Sequence, residues 1–235
     1  MDLSDFFCLY KDEMHKVETH LDRYITSDVR LIPDVAHHLI DSGGKRCRPL
    51  LHLICARLCG YDGPRRFPLA ASIEFIHTAS LLHDDVIDEG LLRRGKTSAN
   101  RVWGNAASVL VGDFLYSRSF EMMVDVGSMR VMDILSHATS RISEGEVLQL
   151  LNCNDADTTE ARYMEVIERK TATLFQAGTR IGAVLVTINP AYRPFELSCI
   201  VWPCLALPCR NFLACAARPM LQAAALAGRT GSRGM

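Results

Sequence analysis

Apolar residues recur at three- and four-residue spacing through most of the first 187 residues of this chain, and no stretch alternates strictly between apolar and polar positions. This periodicity is typical of helices that bury one face. We expect helices near residues 3–24, 28–41, 49–59, 67–89, 105–124, 129–151 and 160–186. The sequence therefore predicts an all-α fold, an antiparallel helical bundle.

Composition limits the functions that such a bundle can have. The chain of 235 residues has a formal net charge of -1, so it lacks the broad basic surface that binding to a nucleic acid duplex requires. Its nine cysteines form no Cys-x-x-Cys pair, which indicates reduced thiols in a cytoplasmic protein. We expect no transmembrane segment, because no uninterrupted apolar run reaches ~18 residues, and no signal peptide.

An acidic motif follows the most apolar of the predicted helices. Residues 69–82 are almost entirely apolar and lead directly into Asp84, Asp85 and Asp88. Asp84 and Asp88 are four residues apart and share a helix face, with Asp85 beside them. Carboxylates near a helix C-terminus are unfavourable unless a cation joins them, and Mg²⁺ prefers such oxygen ligands. We predict a Mg²⁺ site at these three aspartates; the alternative is a solvated acidic helix end.

Two basic clusters flank the acidic motif. We expect the acidic helix to end at Gly90. We expect Arg93 and Arg94, just beyond it, to bind a diphosphate from the side opposite the metal. Upstream, Gly43 and Gly44 permit close approach of backbone amides to an anion, and three cations surround them: Lys45, Arg46 and Arg48. A second phosphate could bind there. The alternative is a basic turn before a helix.

The order of the motifs resembles that of the trans-isoprenyl diphosphate synthases, most closely the bacterial octaprenyl and polyprenyl diphosphate synthases. The motifs that carry the resemblance are Gly43-Gly44-Lys45-Arg46-Cys47-Arg48-Pro49, Glu74-Phe75-Ile76-His77-Thr78-Ala79, Leu82-His83-Asp84-Asp85-Val86-Ile87-Asp88, Arg93-Arg94-Gly95-Lys96, Gly104-Asn105 to Gly112-Asp113, Glu144-Gly145-Glu146 and Lys170-Thr171. The resemblance extends to about residue 187. It implies an all-α, usually homodimeric prenyltransferase that joins isopentenyl diphosphate to an allylic prenyl diphosphate with Mg²⁺, in isoprenoid and quinone side-chain biosynthesis.

The resemblance also implies roles for individual residues. The first aspartate-rich motif of the family, which holds the metal on the allylic diphosphate, matches Asp84, Asp85 and Asp88. The groups that hold this same diphosphate match Arg93 and Lys170. The isopentenyl diphosphate site matches Lys45, Arg48, His77 and Arg94. Further substrate contacts of the family fall near Glu146, Gln149 and Thr171.

Product length can be predicted from the residues one helical turn before the acidic motif. These residues are Ala79 and Ser80, whose small side chains leave the floor of a cavity open. We therefore expect a product longer than farnesyl diphosphate. The alternative role of both residues is close helix packing.

The composition changes after about residue 187. Residues 188–235 contain five prolines, no Asp and a single acid, Glu196. We expect 1–187 to form the N-terminal part of a synthase helical domain and 188–235 to be a poorly ordered tail, either an ordinary extension or the product of a shifted reading frame. Family members carry a second aspartate-rich motif on a later helix, whereas no Asp follows Asp157 here. We therefore expect weak activity or none from this chain alone.

Three alternatives remain at this point. The chain could be a non-catalytic diphosphate-binding subunit that pairs with a complete synthase, or a scaffold without a ligand. A metal phosphohydrolase of the HD type is suggested by His83-Asp84, but no His follows His137 to complete its ligand set. His83 itself is expected to be a core histidine satisfied by backbone partners.

Overall fold

The computed structural model describes residues 7–153, 155 and 157–186, and the predicted tail at 188–235 lies outside them. The described part is built almost entirely from helices, so the all-α prediction is confirmed. Its elements are α1 (Lys11–Ile25), α2 (Leu31–Ile40), α3 (Cys47–Leu58), α4 (Arg66–Ile87), β1 (Leu92–Arg93), β2 (Lys96–Thr97), α5 (Ala99–Trp103), α6 (Asn105–Val126), α7 (Met129–Asn152), α8 (Glu160–Ile167), a π-helical segment (Glu168–Ala172) and α9 (Thr173–Val184).

Two short strands occur among the described helices. Strands β1 and β2 pair antiparallel, with Leu92 opposite Thr97 and Arg93 opposite Lys96. Arg94 and Gly95 connect them, and both have positive φ angles, 52° and 80°. A two-residue turn with positive φ at both positions matches the twist of a hairpin. Strands of two residues are too short to produce a detectable alternation in the sequence.

The acidic helix ends before the position predicted for its cap. Helix α4 stops at Ile87, and the residue with left-handed backbone is Glu89, with φ 49°, rather than Gly90. The amide of Gly90 donates to the carbonyl of Asp85 at 2.9 Å, and the amide of Glu89 donates to Val86 at 3.4 Å. This is a Schellman arrangement, which normally has glycine at the left-handed position.

The last predicted helix, 160–186, is interrupted by a π-helical segment. Its N-cap is Thr159, whose Oγ1 accepts from the amide of Arg162. The segment Glu168–Ala172 is π-helical and separates α8 from α9. Single π-helical turns are rare and occur frequently at functional sites. This one contains the predicted site residues Lys170 and Thr171.

The chain divides into two compact units. We call the first, residues 12–50 and 64–133, the hairpin unit. In it α4 is buried along most of its length, because its apolar side chains cover nearly all sides, and it packs chiefly against α6. Helix α1 presents an apolar stripe at helical spacing: Met14, Val17, Leu21 and Ile25. The burial of α4 fixes the place of the acids at its C-terminal end.

The described residues of the second unit are 7–11, 51–63, 134–153, 155 and 157–186, and we call them the π-helix unit. Here the second half of α3 approaches α9 closely, since a Cβ on Gly182 would lie 2.8 Å from the carbonyl oxygen of His52. The buried His52 ring bonds the carbonyl of Gly178 through Nδ1 at 2.9 Å. Over the described residues, no helix combines the length and the apolar character needed to cross a bilayer.

Candidate active site

Asp85 and Arg93 form the central ion pair of the hairpin unit. Arg93 donates from Nε at 2.9 Å and from Nη2 at 2.5 Å, both to Oδ1 of Asp85. Asp85 is 2% exposed, and its Oδ2 is buried without a hydrogen-bond partner. We expected Arg93 to face the acids across a bound diphosphate, whereas the structure has it in direct contact with one of them. The hairpin makes this possible because β1 turns Arg93 back towards the end of α4.

The other two aspartates of the motif differ in exposure. Asp84 is buried, and Asp88 is exposed just beyond the last residue of α4. Within the described ranges, no three His, Cys, Asp or Glu side chains converge into a metal-binding group. Mg²⁺ needs only one or two carboxylates when water and substrate phosphates complete its shell. The buried, partnerless Oδ2 of Asp85 is an acceptor of the hard type that such a cation prefers, so the residues present fit Mg²⁺.

Four arginines lie near enough to His77 for their charges to act on its imidazole. Burial lowers the pKa of the His77 imidazole well below 6.5, and four neighbouring positive charges lower it further: Arg48, Arg94, Arg93 and Arg46. His77 is therefore neutral at pH 7 and offers one N–H donor and one acceptor nitrogen. Cations at this density in a partly buried place attract an anion with several charges. The predicted grouping of Arg48, Arg94 and His77 is thus present, and Lys45 lies exposed on the adjoining loop.

Arg46 has a structural role that the sequence did not indicate. It donates from Nε to Glu18 at 2.9 Å, from Nη1 to Glu74 at 2.8 Å, and from Nη2 to the carbonyl of Ile40 at 3.1 Å. Burial alone lowers the pKa of Arg46, but the two carboxylates outweigh it and the pKa is raised. Arg46 thus connects α1 and α4 to the start of α3. The neighbouring cations Lys45 and Arg48 are then the ones that can face an anion.

Glu74 is the buried counter-charge of this cluster, and sequence reasoning assigned it no role. It is 3% exposed on α4, and its charge raises the pKa values of Arg48 and Arg94, although burial lowers both overall. With Glu18 on Arg46 and Asp85 on Arg93, three carboxylates face four guanidinium groups, so the cluster keeps one positive charge in excess. A lone carboxylate inside an otherwise apolar helix was the signal that could have identified it.

The glycine loop and the hairpin meet at Gly44 and Arg94. A Cβ on Gly44 would lie 2.8 Å from Nη1 and 3.0 Å from Nη2 of Arg94, so this guanidinium rests against the glycine. Three residues other than glycine have left-handed backbone among those described, and all are in this region: Arg46, Glu89 and Arg94. Such conformations cost energy and cluster at functional sites.

The segment between the acids and α5 is fastened to the end of α4. Ser98 Oγ donates to the carbonyl of Gly90 at 2.6 Å, and Asn100 Nδ2 donates to the carbonyl of Asp85 at 2.8 Å. His83 contacts the carbonyl of Val109 through Nε2 at 3.2 Å, and its ring occupies the space that Gly112 leaves free. The backbone partner expected for His83 is present, but the side chain is 33% exposed and not in the core, and Nε2 also lies 3.3 Å from Asp113 Oδ1.

The remaining predicted residues belong to the π-helix unit. Lys170 Nζ donates to Glu146 Oε2 at 2.6 Å, and Arg169 Nη1 donates to Glu144 Oε2 at 2.7 Å. A Cβ on the intervening Gly145 would lie 2.7 Å from the amide nitrogen of Lys170. The Glu144-Gly145-Glu146 motif therefore packs directly on the π-helical segment. Half-buried Thr171 lies in that segment, and half-buried Gln149 follows Gly145 by one turn of α7.

The two residues predicted to control product length lie on α4. Ala79 is fully buried, and the half-buried Ser80 donates its hydroxyl to the carbonyl of His77 at 2.8 Å. Their place at the floor of a product cavity stays a prediction. Among the described residues, five cysteines form no disulfide: Cys8, Cys47, Cys55, Cys59 and Cys153.

Comparison with known proteins gives consistent matches. The family model described as polyprenyl synthetase matches residues 29–197. Octaprenyl diphosphate synthase of Escherichia coli strain K12 is 48% identical over 190 residues, covering 81% of this chain and 59% of that protein.

Two solved structures are also similar. One is a decaprenyl diphosphate synthase from Rhodobacter capsulatus, with a TM-score of 0.82 and 44% identity. The other is a polyprenyl synthase from Caulobacter crescentus, complexed with calcium and isoprenyl diphosphate, with a TM-score of 0.83 and 44% identity. Each match covers 87% of this chain and 62% of the other, so this chain spans about three fifths of its relatives' length. Because the family model matches residues 29–197 and the similarity extends over most of the chain, this chain belongs to the polyprenyl synthetase family.

Proposed function

We propose that this chain supplies the diphosphate-binding part of a Mg²⁺-dependent trans-prenyltransferase. The reaction would join isopentenyl diphosphate to an allylic diphosphate and give a long-chain, octaprenyl-like polyprenyl diphosphate. One observation carries the proposal: Arg93, one of four arginines whose charges act on His77, also binds the buried Asp85 and so joins the cations to the acidic helix end. The names of the relatives, octaprenyl and decaprenyl diphosphate synthase, support the reaction class and the product range.

Asp85 is the best-supported metal ligand, with Asp84 and Asp88 as its proposed companions. Mg²⁺ bound there would supply a Lewis acid that withdraws negative charge from a leaving diphosphate. The protein contributes a buried carboxylate oxygen without a donor, held in place by Arg93 on its other oxygen.

The proposed roles of the cationic residues follow from their positions. Arg93 and Arg94 on the hairpin, with Arg48 on α3, bind diphosphate oxygens and stabilise the charge that develops as the allylic C–O bond breaks. The diphosphate takes the electron pair of that bond, the isopentenyl double bond forms the new C–C bond, and loss of one proton restores an alkene. No protein nucleophile is needed. Lys170, Thr171 and Gln149 are proposed as further diphosphate contacts.

The level of activity is a separate proposal. The sequence has no Asp after Asp157 to provide a second aspartate-rich motif, so we propose that this chain alone is weakly active or inactive. Calorimetry with geranyl diphosphate should show binding that depends on Mg²⁺, while incorporation of labelled isopentenyl diphosphate should be near background. Asp85→Asn should abolish the Mg²⁺ dependence, and the matched surface variant Asp133→Asn should keep it. Robust turnover by the chain alone would refute the activity proposal; absence of binding would refute the site.

The same arrangement supports a second candidate, a non-catalytic diphosphate-binding subunit of a complete synthase. This candidate predicts that the chain copurifies with such a synthase and changes its turnover or product length. A homodimer, a cytoplasmic location and a role in quinone side-chain synthesis remain proposals from the family resemblance. Sedimentation equilibrium of the purified chain tests the dimer directly.

A further inference from the structure

His38 on α2 connects that helix to the β-hairpin. Its Nε2 lies 2.7 Å from the carbonyl oxygen of Thr97, and because a carbonyl only accepts, Nε2 carries the proton of this bond. The ring also meets Trp103 on α5 edge to face, with centroids 5.0 Å apart and planes at 80°. One half-buried side chain therefore holds α2, β2 and α5 together.

The two segments that His38 connects each carry half of the cation cluster. Along the chain, α2 leads within a few residues to Gly44 and Lys45, while Thr97 closely follows Arg93 and Arg94. The two halves touch where the Arg94 guanidinium rests on Gly44. Both halves are also fastened to α4, the loop through Arg46 on Glu74 and the hairpin through Arg93 on Asp85. The bond from His38 adds a direct link between α2 and β2.

The other side-chain hydrogen bonds of this segment lead elsewhere. Ser98 and Asn100 bond the carbonyls of Gly90 and Asp85, so they fasten the segment to the end of α4. Arg93 likewise binds Asp85 on α4. The left-handed Arg94 at the hairpin turn is a conformation that persists only when surrounding contacts hold it. The bond from His38 supplies such a contact from α2.

We propose that His38 is a positioning residue for diphosphate binding, because its Nε2–H bond to Thr97 sets the separation between the Gly44–Lys45 loop and the Arg93–Arg94 hairpin. His38 itself does not touch the anion. The identity of the anion rests on the proposed function, whereas the mechanical link between α2 and the hairpin does not.

Two substitutions separate the hydrogen bond from the ring contact. His38→Phe keeps a ring against Trp103 but removes the donor, and His38→Gln keeps an N–H donor but removes the ring. The matched control is His37→Phe, because the neighbouring His37 pairs with Asp41 at 3.6 Å and makes no bond to the hairpin. Each chain is studied by amide hydrogen exchange over residues 92–98 and by calorimetric titration with inorganic pyrophosphate and Mg²⁺.

We expect faster hairpin exchange in His38→Phe and a pyrophosphate Kd raised about five- to tenfold, the usual effect of losing one hydrogen bond. His38→Gln should restore both, and His37→Phe should change neither. Unchanged hairpin exchange in His38→Phe overturns the proposal, as does a lowered melting temperature with an unchanged Kd, which indicates a purely structural role. If the unsubstituted chain binds no pyrophosphate, the proposed function fails, and the exchange data still report separately on the link.

Discussion

Arg93 covers one oxygen of Asp85 with two hydrogen bonds and leaves the other oxygen, Oδ2, buried without a donor. The pair is balanced in charge, but one carboxylate oxygen of Asp85 is unused as an acceptor. A cation could therefore bind Oδ2 without displacing Arg93. The ion pair therefore prepares the end of α4 for a metal and also holds the hairpin near it.

Replacing Arg93 by Gln should destabilise the chain, because the carboxylate of Asp85 then stays buried without its cation. We expect the free energy of unfolding to fall by about 1.5–3 kcal/mol, the range for hydrogen bonds to charged groups. Mg²⁺ should recover part of the loss by binding the native state. Urea unfolding with and without Mg²⁺ measures both effects. The control Arg130→Gln removes an exposed pair with Asp133 and should cost less than about 1 kcal/mol. Equal losses in the two variants would contradict this role of Arg93.

Gly44→Ala should weaken pyrophosphate binding more than it lowers stability. The new methyl group would push the Arg94 guanidinium from its position, and the end of a flexible side chain can move at little cost. We expect a Kd about tenfold higher, as for loss of one charged hydrogen bond. Gly43→Ala is the control in which the new methyl group touches no other residue but the backbone is strained, because Gly43 has φ +88° and open space around it. That variant should lose stability while Arg94 keeps its place. The same pyrophosphate Kd for Gly44→Ala and the unsubstituted chain would contradict this prediction.

His77 should make stability dependent on pH on the acidic side. Burial chiefly lowers the pKa of His77 in the folded chain. The contribution of His77 to the free energy of unfolding is therefore complete above the unfolded-state pKa of 6.5 and is lost as the pH falls below that value. His77→Gln should flatten the stability profile in that window, and the exposed control His15→Gln should not. Pyrophosphate should oppose the effect, because an anion among the four arginines favours the protonated imidazole. Chemical unfolding at a series of pH values tests this, and an unchanged slope in His77→Gln would count against it.

Glu89→Gly should stabilise the chain by about 0.5–1 kcal/mol, because glycine adopts the left-handed conformation after α4 without a Cβ penalty. Glu89→Ala separates this effect from charge, since it removes a carboxylate from a helix C-terminus but keeps the Cβ. Thermal unfolding of the two variants is the measurement. If alanine stabilises as much as glycine, charge rather than backbone strain explains the result.

Ala79→Phe should shorten the product in any preparation in which this chain turns over. A phenyl ring one turn before Asp84 would close the space that a growing prenyl tail requires. Chromatography of the dephosphorylated products gives the chain length, and Ser72→Ala on the same helix serves as the control. An unsubstituted enzyme that makes only farnesyl diphosphate would refute the open-floor prediction.

The sequence predicted the helices well wherever a long apolar stripe decides the outcome. Helix α4 is the clearest case, because an apolar run of this length can be satisfied only by burial. It predicted the ends of the helices less well. Left-handed Glu89 and the π-helical turn at Glu168–Ala172 contradict local propensity and are maintained by contacts with other segments.

By itself, the sequence determined the helical class, the acidic helix end and the cation types around it, because periodicity and charge are local properties. Only the tertiary structure decided which charges meet: Arg93 on Asp85, Arg94 on Gly44, and Arg46 on the buried Glu74. The reason is physical, since ion pairs and burial depend on distances between segments far apart in the chain. Such distances are set by packing of the whole unit, which no local pattern encodes.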